Sequence, residues 1–312
     1  MKHRSAQSIR IFTAVVRQHR IIRPRYRLLT LELDAKGSAA FASVMPGQFV
    51  EIDAGPLSLP QDKDIPAELL DSAKRNIMLR RPFSFSAIRH KGNKFEIDIS
   101  YHVVGPSTVR LTTLVPGDSL NLIGPLGNGF RIDQSRPIAV LIAGGMGAPP
   151  IQHLAAHLKS HHPDMRVTAF IGARSLDEIP FDIGTDPDGG IIFPAFSSVG
   201  VPHAMTTDDG SFGVKGFVTQ LVEKLLVPGP FQTDKAILYA CGPEPMLTAV
   251  SRLAAKIGVH CQLSMERMMA CGIGLCQSCA IKTRDPQAED GWSYRLCCKD
   301  GPVLDGKDVI FD

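Results

Sequence analysis

Residues 269–279 read Met269-Ala270-Cys271-Gly272-Ile273-Gly274-Leu275-Cys276-Gln277-Ser278-Cys279, and the whole chain is best read outward from them. Three cysteines are separated by four residues and then by two, and a fourth follows at Cys297 or Cys298. This is the spacing of plant-type [2Fe–2S] sites, where a short loop wraps four thiolates around two irons. Gly272 and Gly274 allow turns that a side chain would block. They also let backbone N–H groups approach the sulfurs and tune the potential. A structural zinc site is the competing reading. Zinc sites usually pair two Cys-x-x-Cys knuckles, and here only Cys276 and Cys279 form one. Five of the seven cysteines lie between Cys271 and Cys298, a concentration that points to a metal site. Cys241 and Cys261 lack ligand spacing and read as small buried residues.

The cysteine-rich tail, 259–312, is too short to enclose much apolar core, and a metal would supply part of the missing stability. Upstream, 134–258 alternates strand and helix, which implies a parallel sheet covered by helices. Residues 138–143 form a continuous apolar run, the mark of a strand buried on both faces. Gly144-Gly145-Met146-Gly147 follows, and a helix starts at Pro149 and Pro150, with Ile151, Leu154, Ala155 and Leu158 as its buried stripe. Amides at such a turn suit a diphosphate, although the run departs from the Gly-x-Gly-x-x-Gly fingerprint. Further strands are expected at 166–172 and 236–240. A closing helix follows at 243–257, with Met246, Val250, Leu253 and Ile257 on its buried face. The loop Cys241-Gly242-Pro243 sits between that strand and helix. Two strand-end loops in one parallel sheet would flank one ligand at its carboxyl edge; two ordinary tight turns are the plain alternative.

The first region, 1–133, reads as β-rich. Residues 21–33 have a strand-like apolar pattern. In 94–103, Phe95, Ile97, Ile99 and Tyr101 alternate with Glu96, Asp98, Ser100 and His102, as in a half-buried strand. Turns recur at Pro46-Gly47, Pro116-Gly117 and Gly124-Pro125-Leu126-Gly127, which together suggest a small antiparallel barrel. Residues 57–75 are polar and read as an insertion or flexible loop with a short helix at 67–74. Arg80-Arg81-Pro82-Phe83-Ser84 offers an arginine for a phosphate and a hydroxyl for a ring nitrogen; a plain strand start is the alternative.

The bulk properties bound these readings. A chain of 312 residues suggests two or three domains. A net charge of +3 argues against a nucleic-acid partner, and Arg17, Arg20, Arg23, Arg25 and Arg27 read as a solvated strand edge. No run of about 18 apolar residues exists, so no membrane helix is expected. Residues 1–10 lack a signal-peptide core, the expected location is the cytoplasm, and structural disulfides are not expected there.

The three motifs, in this order, resemble the ferredoxin reductase-like superfamily. More closely, the chain resembles the electron-transfer subunits of type B, NAD-dependent dihydroorotate dehydrogenases, over nearly its whole length. That resemblance implies an α+β multidomain protein. Residues 1–133 would be an antiparallel β-barrel FAD domain, 134–258 an α/β parallel-sheet NAD domain, and 259–312 a small [2Fe–2S] domain. It implies that Arg81, Pro82, Phe83 and Ser84 bind FAD, with Arg81 at the diphosphate and Ser84 near the isoalloxazine. Val103, Gly105, Ser107 and Thr108 would form a second FAD segment, and 124–130 the closing glycine turn. Gly144, Gly145, Gly147, Cys241, Gly242 and Pro243 would bind NAD. Cys271, Cys276 and Cys279 would be cluster ligands. The family places its fourth one residue before the sequence Lys-Asp-Gly-Pro or its like, which selects Cys298 and leaves Cys297 an extra thiol. Electrons would pass between NAD and an FMN-containing dihydroorotate dehydrogenase catalytic subunit, through FAD and the cluster, within a heterotetramer that serves pyrimidine biosynthesis. Catalysis would need no residue beyond those that hold cofactors. Sulfite reductase and hydrogenase electron-transfer subunits share this scaffold and are the nearest alternative. A flavin–cluster redox sensor and a zinc-stabilised interaction module are alternatives of other classes.

Overall fold

A computed structural model of the chain describes residues 11–91, 94–185, 191–226 and 232–311; the expectation about residues 1–10 lies outside them. Seven antiparallel strands form the first sheet. They are β1 (Ile11–Arg23), β2 (Tyr26–Leu33), β3 (Phe49–Ile52), β4 (Arg81–Ser84), β5 (Ala87–Lys91), β6 (Lys94–His102) and β7 (Ser119–Leu126). Their order is β4-β3-β7-β1-β2-β6-β5. The sheet curls around Leu29, Leu31, Val50, Ile52, Phe95, Ile97 and Ile99, all fully or nearly fully buried. Alternation of apolar residues supplies this inner face.

Three details of the barrel differ from the sequence reading. Residues 21–33 are not one strand: the chain reverses at Pro24-Arg25 between β1 and β2, where proline's fixed φ and missing donor favour a turn. Strand β6 is buried on both faces rather than one. Asp98 is 7% exposed because it accepts from Thr30 Oγ1 at 2.7 Å and from both terminal nitrogens of Arg89 at 2.5 and 2.6 Å. The arginines of β1 and β2 are not on a strand edge, since both strands lie inside the sheet order. Arg17 pairs with Glu32, Arg20 reaches Asp182, and Arg25 holds Glu68 and the Val103 carbonyl.

Residues 57–75 include a short helix, Leu70–Ala73. Ala73 is fully buried, and Leu57, Leu59, Leu69 and Leu70 pack on the barrel core, so this segment is seated rather than loose.

The second sheet contains β8 (Ile138–Gly144), β9 (Arg166–Ala173), β12 (His203–Thr207), β13 (Val214–Lys215), β14 (Ala236–Cys241), β15 (His260–Ser264) and β18 (Val303–Asp305). A small ribbon of β10 (Gly184–Thr185) and β11 (Ile191–Ile192) lies apart from it. The order is β13-β12-β9-β8-β14-β15-β18, parallel except for the β15–β18 pair. The helix Ala148–His161 buries Ile151, Leu154, Ala155 and Leu158 completely, as expected. The helix Glu244–Ile257 buries Val250 and Leu253 as expected, together with Leu247 and Ala254, whereas Met246 and Ile257 are only partly buried. Met246 turns away toward the glycine loops, where a methyl built on Gly144 or Gly242 would lie 2.6 Å from its Sδ or Cε.

The tail does not stand alone. Its strands β15 and β18 extend the second sheet, and β16 (Ala280–Arg284) pairs with β17 (Trp292–Leu296) beside it. Ile281, Cys297, Leu304 and Val309 share one apolar cluster with Leu238 and Leu247. The apolar core that the tail lacks in sequence is thus borrowed from the sheet. No helix among the described residues is long and apolar enough to cross a membrane.

Candidate functional site

One cleft of about 890 Å³ gathers residues from all three regions. From the barrel come Arg81, Pro82, Phe83, Ser84, Gly105, Ser107 and Thr108. From the parallel sheet come Gly147, Cys241 and Gly242, and from the tail come Met265 to Ala270, Ser278 and Pro302.

Arg81–Ser84 is β4, the outer strand beside β3. An edge position tolerates Pro82, whose missing N–H would break a ladder elsewhere. Among the described residues Arg81 Nη1 donates to the carbonyls of Leu79 and Arg80, at 3.2 and 3.0 Å, and its exposed side chain lines the cleft. Gly105 precedes the short helix Pro106–Leu111. Thr108 Oγ1 accepts from the Val104 and Gly105 amides at 2.9 and 3.1 Å, which fixes this turn. Ser107 is 5% exposed, and its hydroxyl has no partner among the described residues. A buried hydroxyl without a partner is costly, so a ligand that bonds it fits this wall. Val103 is buried and faces away, onto a second pocket beneath the helix.

The two glycine loops meet because β8 and β14 are parallel neighbours, with Ala143 beside Cys241. A methyl on Gly147 would lie 2.0 Å from the Cys241 carbonyl oxygen, so only glycine permits this approach. Gly144, Gly145 and Pro243 are not among the residues that line it. Burial pushes the Cys241 thiol up to about 12. An ion pair between Arg267 and Glu244 ties the tail to this edge.

The cysteine loop turns through positive φ at Gly272 (66°), Gly274 (84°) and Gln277 (60°). The amides of Leu275 and Cys276 each point at Cys271 Sγ at 3.4 Å. The Cys298 amide points at Cys279 Sγ at 3.4 Å, and the Cys279 and Cys298 sulfurs are 3.3 Å apart. The four thiols therefore form two pairs, Cys271 with Cys276 and Cys279 with Cys298. Among the described residues no three His, Cys, Asp or Glu side chains converge on one point. Four thiols faced by backbone amides are the donors that a plant-type [2Fe–2S] site uses. The donor set and its amides fit a [2Fe–2S] group. Hydrogen bonds from Ser278 and Cys271 bring the Cys276 thiol down to about 6. Cys297 points elsewhere: it is fully buried, its Sγ lies 3.4 Å from the Met265 carbonyl, and burial pushes its thiol up to about 12.

Several residues of the site escaped the sequence reading. Tyr101 and His102 line the cleft at the end of β6, and Phe83 meets Tyr101 edge-on at 6.2 Å. Their place just before the Val103–Thr108 segment was the available signal. Met265 to Met268 carry no motif, because only the tertiary fold brings them to the cleft.

Comparison with known proteins places the chain among its relatives. Residues 266–310 match the family model described as the iron-sulfur cluster binding domain of dihydroorotate dehydrogenase B. The chain is 32% identical over 266 residues to a protein of Caldanaerobacter subterraneus subsp. tengcongensis named dihydroorotate dehydrogenase B (NAD(+)), electron transfer subunit, covering 85% of this chain and 87% of that one. The protein of the same name from Bacillus caldolyticus is 31% identical, with 90% and 93% covered. Among solved structures, an NADH-dependent reduced ferredoxin-NADP oxidoreductase superposes with a TM-score of 0.68 at 22% identity, covering 95% of this chain and 89% of that one. A ferredoxin reductase of carbazole 1,9a-dioxygenase gives 0.57 at 21% identity, with 82% and 68% covered. These two share the fold.

Proposed function

The chain belongs to the family of electron-transfer subunits of NAD-dependent dihydroorotate dehydrogenase B, and we propose from this that it passes electrons between NAD(H) and an FMN-containing dihydroorotate dehydrogenase catalytic subunit in the cytoplasm. The observation that carries the proposal is the single cleft where the Arg81–Ser84 strand, the two glycine loops and the approach to the cysteine loop converge.

When bound, FAD supplies the exchange between two-electron chemistry with a nicotinamide and one-electron chemistry with a cluster. Arg81 offers its exposed guanidinium to the diphosphate, and Ser84 and the Ser107 hydroxyl, unpartnered among the described residues, offer hydrogen bonds. Gly105 and Thr108 hold the turn beside them. Gly147, Cys241 and Gly242 keep the floor open for the nicotinamide nucleotide, with Gly144, Gly145 and Pro243 their neighbours in the same two turns. Cys271, Cys276, Cys279 and Cys298 hold the [2Fe–2S] cluster, and the amides of Leu275, Cys276 and Cys298 stabilise their negative charge. On this reading 1–133 serves FAD, 134–258 serves NAD, and 259–312 serves the cluster.

The test is anaerobic co-expression with the catalytic subunit from the same genome, purification by a tag on this chain, and measurement of NAD reduction with dihydroorotate as donor. Co-purification with turnover supports the proposal. A brown protein that oxidises NADH with an artificial acceptor but ignores that subunit sends the partner assignment to a sister reductase.

A further inference from the structure

Glu51 lies where a charge is least expected. It is the third residue of β3, whose Val50 and Ile52 point into the barrel core. Glu51 points the other way, toward the tail, and is only 1% exposed. Neither carboxylate oxygen has a hydrogen-bond partner among the described residues. Its neighbour is the cysteine loop itself: a methyl built on Gly272 would lie 2.5 Å from Glu51 Oε1 and 2.6 Å from its Cγ. Neither nearby arginine hydrogen-bonds it. Arg80 bonds the Asn121 carbonyl at 3.1 Å and lies 3.6 Å from Asp53, and Arg81 bonds backbone carbonyls. A buried carboxyl with no partner carries a large desolvation cost and calls for an explanation.

We infer that Glu51 is a positioning residue that seats the cluster loop through Gly272 and lowers the reduction potential of the cluster by its negative charge. The inference rests on the cluster assignment above. Cluster potentials depend on net charge, hydrogen bonds and exposure. In a dry interior a charge acts strongly over short distances. The amides of Leu275 and Cys276 would favour the reduced cluster, and a charged Glu51 beside Gly272 would oppose them. Burial disfavours the charged carboxyl, against the pull of Arg81 and Arg80, so the comparison is made in alkaline buffer. Glycine at 272 is required twice over, for its φ of +66° and for the room the carboxyl occupies.

The full chain, loaded with FAD and cluster, is compared with Glu51→Gln and Glu51→Asp. Iron per chain and visible absorbance report loading. A dye-mediated titration followed by electron paramagnetic resonance, in alkaline buffer, reports the cluster midpoint potential. The Gln variant is expected to keep its iron and shift the midpoint upward, and the Asp variant to shift it less in the same direction. Loaded variants with the wild-type midpoint overturn the inference. If Gln fails to load, the Asp variant decides by the presence or absence of its upward shift. If neither loads, Glu51 is purely structural and the inference falls. A wild-type protein without cluster refutes the underlying assignment instead, and this is seen before any variant is made.

Discussion

At the scale of single residues, the adjacent pair Cys297 and Cys298 separates into two environments. Cys298 Sγ stands 3.3 Å from Cys279 Sγ, whereas Cys297 Sγ faces the Met265 carbonyl. Cys276→Ser and Cys298→Ser are expected to abolish the visible absorbance and iron of the cluster while FAD stays bound. Cys297→Ala is expected to keep both and to cost only about 1 kcal/mol through a small cavity, as read by denaturant unfolding. Retention of iron in the Cys298 variant would reverse the assignment. Arg81→Ala removes a charged donor from the cleft. Such donors contribute about 1.5–3 kcal/mol, so the FAD dissociation constant should rise by roughly ten- to a hundredfold, measured by flavin fluorescence.

At the scale of elements, the nucleotide floor depends on contact between the turn after β8 and the turn after β14. Gly147→Ala places a methyl 2.0 Å from the Cys241 carbonyl, and backbone cannot yield as a flexible side chain would. The expected cost is about 1–3 kcal/mol of stability and a raised KM for NADH with an artificial acceptor. Gly145→Ala, at a position with no atom within 4 Å but a φ of +49°, should leave the spacing of the two loops intact and raise KM far less. Equal KM values for the two variants would show that the approach at Gly147 does not shape the floor.

At the scale of the whole molecule, the packing of barrel against parallel sheet sets a pH dependence. His153, on the helix Ala148–His161, meets the barrel residue Phe85 edge-on at 6.4 Å. It is buried, its Nδ1 has no partner among the described residues, and burial lowers it from 6.5 to about 3. The unfolded chain therefore takes up a proton below about 6.5 that the folded chain refuses. Stability is lost as pH falls through that window, by up to about 1.4 kcal/mol per pH unit. Glu51 acts oppositely, because its raised carboxyl favours the folded state on acidification from about 7 toward 4.5. Comparing wild type with His153→Leu cancels that contribution. The variant should show a shallower decline of Tm between about pH 6.5 and 5, and an unchanged slope would count against a buried neutral His153.

The sequence by itself determined the local devices. The x-four, x-two cysteine spacing, the glycine run after a buried strand and the alternation of β6 each follow from residue type and short-range geometry, and their elements stand close to where the pattern puts them. Its errors were those of range. A hairpin turn hid inside 21–33 because flanking apolar residues continued the pattern across Pro24. On Glu244–Ile257, Val250 and Leu253 are buried as the pattern puts them, but Met246 is only partly buried because it also packs against the glycine loops. Only the tertiary structure decided that the tail shares the sheet and core of the preceding region, that Cys297 turns away from the other thiols, and that Glu51 lies against Gly272. Those outcomes depend on contacts between residues far apart in the chain, about which spacing is silent. Burial and charge are properties of the assembled fold, whereas turn chemistry and periodicity belong to the chain itself.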